Sequence, residues 1–136
     1  MVPMANIPVG AVREENLLVT SEVAIEFMGI DSARVLGTPH LIAYLELTAR
    51  NLALGFIEPG YDTVGTRVNL SHLAATPIGM SVRLRAEVIA VEDRRITFKL
   101  EAWDEQEKIA EGTHERFIVH AARFGARVQA KAAMRK

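Results

Sequence analysis

Cysteine is absent from the chain. That excludes a disulfide scaffold, a thiolate metal site and a cysteine nucleophile, and it fits a reducing, cytoplasmic setting. An excess of either charge is also missing: Lys+Arg number 16 and Asp+Glu 17. No basic field is available to hold nucleic acid, so no nucleic-acid partner is expected. The sequence start has no basic segment followed by a long apolar run, which argues against a signal peptide. The most apolar stretch, Leu41 to Ile57, is interrupted by Glu46, Arg50 and Asn51. It is short for a membrane span and reads as a buried helix, so no membrane association is expected. Nucleophile-elbow, phosphate-loop and dinucleotide glycine motifs are lacking, as is any HxH or HExxH spacing. With four scattered histidines, no metal and no cofactor are expected.

What remains is an ordinary globular composition, with 49% hydrophobic and 24% charged residues in 136. The length fits one domain over 1–136. Val23, Ile25 and Phe27 alternate with Glu22, Ala24 and Glu26. This predicts a half-buried strand, extending back toward Arg13 through a kink at Thr20–Ser21. The stretch from Met28 to Leu36 is ambiguous. Thr38-Pro39 predicts a helix start, with Thr38 as N-cap, and Glu58-Pro59-Gly60 predicts its end. Being apolar on nearly every side, that helix needs cover all round. Four strands follow, over Val64–Leu73, Val82–Ala90, Ile96–Ala102 and Lys108 to about His120, joined by short turns that favour antiparallel pairing. The predicted class is α+β: one antiparallel sheet curled around one central helix, with a short C-terminal helix. This is the hot-dog arrangement. A second copy of the chain would cover the rest of the helix, so a homodimer is expected. A plain α+β roll is the alternative.

Polar residues inside apolar segments are the candidates for chemistry. Glu46 is costly in a buried helix unless paired, hydrogen-bonded or protonated, and burial would suit it to act as a base. Its ordinary alternative is an ion pair with Arg50 one turn on. His72, at a strand end, is a catalytic candidate or a satisfied core histidine. His40 has the same ordinary reading, and His114 and His120 would suggest a metal only weakly. Strict alternation puts His114 and Arg116 on one face and Glu115 on the other. Thr38 is a helix cap, or a hydroxyl near helix N-terminal amides that favour negative charge on an acyl oxygen. Arg123, Arg127, Lys131 and Arg135 make a basic stripe beside Phe124 and Val128. Such a stripe is either a solvated face or a contact for a CoA phosphate.

The segments GTRVNLSHLAATPIG at 65–79 and EGTHERFIVHAARFGARVQAK at 111–131, together with Thr38 to Glu46, resemble the fluoroacetyl-CoA thioesterase group of hot-dog proteins. The likeness runs from about Val35 to Lys131. It implies a thioester hydrolase that converts a short acyl-CoA into a carboxylic acid and free CoA. It also implies Thr38, Glu46 and His72 as catalytic residues, with Gly65 and Arg116 binding substrate. Pro39 stands where the group carries Gly, which removes one backbone donor. His40 replaces an apolar aromatic. Both changes lie near the acyl group, whose identity is left open. Two other readings are a non-catalytic acyl-CoA-binding module and an enoyl-CoA hydratase or dehydratase. The second fits less well, because such enzymes place a catalytic His near the central helix and His72 is on a strand.

Overall fold

The computed structural model describes residues 6–25 and 34–135. The elements are β1 (Val12–Leu18), β2 (Ala24–Ile25), β3 (Val35–Leu36), α1 (Thr38–Leu54), β4 (Tyr61–His72), β5 (Ser81–Glu92), β6 (Arg95–Trp103), β7 (Lys108–His120) and α2 (Ala121–Ala133). Five strands make one antiparallel sheet in the order β1-β5-β6-β7-β4, while β2 and β3 pair separately. The sheet holds α1 on one face, against β1, β4 and β5. This is the hot-dog arrangement expected from the sequence.

Alternation explains the packing. Val82, Leu84, Ala86 and Val88 of β5 and Ile96, Phe98, Leu100 and Ala102 of β6 all point inward and are buried. They meet the stripe Leu41, Leu45, Thr48, Ala49, Leu52 and Ala53 of α1. Each fully buried Leu or Phe in such a core contributes roughly 1.5–3 kcal/mol. The opposite side of α1 is bare in the single chain, with Tyr44 36% and Leu47 42% exposed. Among the described residues no helix is long and apolar enough to cross a membrane.

Besides the earlier start of β4, at Tyr61 and not Val64, three boundaries differ from the sequence expectation. The kink before Val23 is a full break: β1 pairs with β5, whereas β2 pairs with β3. The expected strand beyond Ile25 and most of the ambiguous stretch fall outside the described residues. The N-cap is Gly37, and Thr38 caps nothing. Gly37 donates its N–H to the Val23 carbonyl, and a Cβ there would sit 2.8 Å from Ile25 Cγ2. Close approach therefore reserves the position for glycine. Finally, α1 ends at Leu54, short of Glu58. Gly55 and Phe56 donate to the carbonyls of Leu52 and Ala53, the tighter bonding that closes a helix.

One irregularity places residues for function. Gly65 pairs with Arg116 and Arg67 with Glu115, so Thr66 is an extra residue, a β-bulge. Residues paired across antiparallel strands share a face. Val68 pairs with His114 and His72 with Ala110, so Gly65, Val68 and His72 all face α1. Without the bulge, Gly65 and His72 would lie on opposite faces, since side chains alternate.

Candidate active site

The sequence candidates gather in two clusters. The first is at the N-terminus of α1. Thr38 is the first helical residue, and its Oγ1 lies 2.7 Å from His72 Nδ1 at the end of β4. A threonine freed from capping is thus available to the histidine. His72 Nε2 is buried and has no hydrogen-bond partner among the described residues. Burial pushes the His72 pKa below its usual value, against an opposing pull from the Ala74 backbone. The ring is therefore neutral near pH 7 and able to accept a proton. Ile25, Val35, Leu36 and Leu73 line an open, mainly apolar pocket of about 420 Å³ around Thr38 and His72. The first turn of α1 leaves the N–H groups of Thr38 and His40 without intrahelical acceptors, while Pro39 has none to offer. Two donors and the positive end of the helix dipole lie at this end of α1.

The second cluster is built on Arg116 of β7, which is 6% exposed. Its Nε donates to Thr63 Oγ1 at 2.7 Å and its second terminal nitrogen to the Thr63 carbonyl at 2.8 Å. The remaining terminal nitrogen lies 3.5 Å from Glu46 Oε2 and 3.3 Å from His114 Nε2. Burial lowers the Arg116 pKa, and the carboxylates of Glu46 and Asp62 oppose that effect. A guanidinium stays charged through such a shift. Gly65 opens the space in front: a Cβ there would be 2.9 Å from Glu46 Oε2, 3.3 Å from His114 Cε1 and 3.4 Å from Arg116. Three polar side chains converge on this position, and any residue larger than glycine would crowd them.

Glu46 is more open than its apolar neighbours suggested, at 36% side-chain exposure. It does not pair with Arg50. Arg50 forms a two-pronged bond to Asp62, at 2.9 and 2.7 Å, which leaves Glu46 to Arg116. Thr38 and Glu46 sit on one continuous helix, so Glu46 is about 12 Å further along the axis at about 1.5 Å per residue. The two cannot touch within one chain. His114 shares a face with Arg116, as alternation requires, while His120 accepts the Arg123 N–H and caps α2. No residue of α2 is buried, and Arg127 lies over the Phe124 ring. Thr63 was not among the sequence candidates: the strand was expected from Val64, whereas β4 begins three residues earlier, at Tyr61. His114 was a candidate only as a metal ligand.

The comparisons with known proteins decide the family. The sequence model of the fluoroacetyl-CoA-specific thioesterases matches residues 19–122. The chain belongs to that family. It is 35% identical over 97 residues to the fluoroacetyl-CoA thioesterase of Streptantibioticus cattleyicolor, spanning 71% of this chain and 70% of that one. A solved structure of the fluoroacetyl-CoA thioesterase superposes with a TM-score of 0.84 at 29% identity, covering 93% of this chain and 98% of the other. A thioesterase superfamily member from Thermus thermophilus superposes with a TM-score of 0.86 at 28% identity, covering 96% of each chain.

Proposed function

We propose that the protein hydrolyses a short acyl-CoA thioester to a carboxylic acid and free CoA. In this reading Thr38, Glu46 and His72 are the catalytic residues, and Gly65 and Arg116 bind substrate. The observation that carries it is the 2.7 Å pairing of Thr38 with a neutral His72 beside an apolar pocket at a helix N-terminus. His72 Nδ1 takes a proton from the nucleophile, which is the Thr38 oxygen or a water held in its place. The nucleophile adds to the thioester carbonyl, and the oxygen that gains charge faces the free N–H groups of Thr38 and His40. The carbon–sulfur bond then breaks, and the CoA sulfur leaves with the proton from His72. Glu46 lies about 12 Å along the helix from Thr38 of its own chain, so it is Glu46 of a second copy that orients or activates the attacking water, either the first nucleophile or the one that cleaves an acyl-Thr38 ester. Arg116 donates to a substrate oxygen above Gly65.

The same proposal includes a homodimer in the cytoplasm. The bare Tyr44 and Leu47 side of α1 and the outer edge of β4, unpaired among the described residues, support a second copy. The cytoplasmic setting follows from a CoA ester as substrate.

Thiol release with a disulfide dye tests the activity, from acetyl-CoA to longer esters and with fluoroacetyl-CoA included. A chain without cysteine adds no background. Release is expected from wild type and is expected to fall to the blank in Glu46→Ala and His72→Ala. No release from any ester, or undiminished release in both variants, overturns the reading.

A further inference from the structure

A histidine that is 1% exposed stands beside an arginine that is 6% exposed on the same face of β7. Packing alone does not call for either. The hydrogen bonds say what the histidine does. His114 Nδ1 lies 2.8 Å from the Arg67 carbonyl, which can only accept. The proton therefore sits on Nδ1. Burial, reinforced by the nearby Arg116 charge, holds the ring neutral, so Nε2 keeps a lone pair. That lone pair is 3.3 Å from a terminal nitrogen of Arg116. A stack on Phe98, with ring centres 6.0 Å and planes 29° apart, helps keep the imidazole in this orientation.

Arg116 is thereby held from two sides. Thr63 takes the Nε donor and one terminal donor, and His114 takes a donor from the other terminal nitrogen. The hydrogen left on that nitrogen makes one long bond, 3.5 Å, to Glu46 Oε2 at the edge of the space above Gly65, where a substrate oxygen can take it over. We propose that His114 is a positioning residue: as a neutral acceptor tied to the Arg67 carbonyl, it fixes the Arg116 guanidinium so that one donor faces substrate above Gly65. This rests on the reading of Arg116 and Gly65 as substrate contacts. It also gives the bulge a second role, since the Arg67 carbonyl that sets the tautomer follows the extra residue directly.

Two amides separate the halves of the imidazole. His114→Asn keeps a donor near Nδ1 for Arg67 but has no acceptor that reaches Arg116. His114→Gln places an oxygen near the position of Nε2. The readouts are KM and kcat for acetyl-CoA, Kd for CoA by calorimetry and the melting temperature, with Arg116→Ala as reference. KM and Kd are expected to rise about tenfold in His114→Asn and to stay within about twofold of wild type in His114→Gln, the scale of one hydrogen bond to a charged group. The expected change in kcat is smaller than that in KM. If His114→Asn does not fold, His114→Met fills the site without a strong acceptor and takes its place. Equal effects of the Asn (or Met) and Gln variants overturn the proposal. So does a rise in Arg116→Ala with none in His114→Asn. If Arg116→Ala itself changes neither constant, the reading of Arg116 fails instead. Kd reports on the clamp even where no thiol is released.

Discussion

A histidine with one threonine partner and apolar surroundings titrates low, and this fixes the expected pH behaviour. Burial depresses the pKa of both His72 and His114 below the usual value of about 6.5. In the proposed mechanism a protonated His72 cannot accept a proton, so activity is expected of the neutral form. The plateau of kcat/KM is therefore expected to continue below pH ~6.5 and to fall only with further acid. Stability follows the same sign. The unfolded chain binds protons that the folded histidines refuse, so stability is full above pH ~6.5 and is lost as pH falls toward the depressed values. A pH–rate profile and urea midpoints at neutral and mildly acid pH check both; an acid limb centred above the usual histidine value would contradict the burial argument. Glu46 and His72 were conspicuous in the sequence because polar groups in apolar segments need a reason. Thr63 was not, since threonine is commonplace in strands. Which carboxylate Arg50 prefers was also illegible, because Asp62 approaches it only in three dimensions.

At the scale of elements, the period of two exposed the four strands β4 to β7, and the apolar run with its terminal Pro and Gly exposed α1. Their ends were less legible. The N-cap is a glycine because Ile25 crowds it and its N–H bonds the Val23 carbonyl, and these are tertiary neighbours. The bulge at Thr66 left no mark in the alternation, since Thr66, Val68, Leu70 and His72 keep one parity, and of the residues upstream that face the helix, Tyr61, Thr63 and Gly65, the expected strand included only Gly65. Backbone contact is equally hidden at Gly112, where a Cβ would strike the Asn69 carbonyl of β4. Gly112→Ala is expected to destabilise the protein by about 1–3 kcal/mol, as overpacking does. Gly125 in α2 has nothing within 4 Å, so Gly125→Ala is expected to stabilise slightly instead. Urea denaturation of the two variants checks the pair, and similar shifts in both would rule out the β4–β7 contact as the cause.

Across the whole molecule, the two clusters stand apart. His72 and Gly65 are separated by roughly 20 Å of strand, and Thr38 and Glu46 by about 12 Å of helix. A substrate that meets all of them either spans that distance or lies where two chains face each other. Mixed dimers distinguish these. If Glu46 of one chain serves His72 of the other, pairing Glu46→Ala chains with His72→Ala chains restores one working site of two. Failure of thiol release to recover in verified heterodimers would rule out a shared site and, with it, any action of Glu46 on an acyl group beside Thr38. A homodimer was expected from the sequence because α1 was too apolar to be left uncovered, and the exposed Tyr44 and Leu47 locate the bare side.

The extra residue in β4 also changes how relatives should be compared. A strand is a two-phase signal, and Thr66 is a phase slip. Upstream of it odd positions face the helix, and downstream even positions do. The Thr66 hydroxyl makes only long contacts, 3.3 and 3.4 Å, to Glu115. Its identity is nearly free while its presence is obligatory. A substitution scan would pass over it as a tolerant position. A one-residue deletion would point either the glycine or the histidine the wrong way, and insertions and deletions are therefore the changes to watch for along this strand.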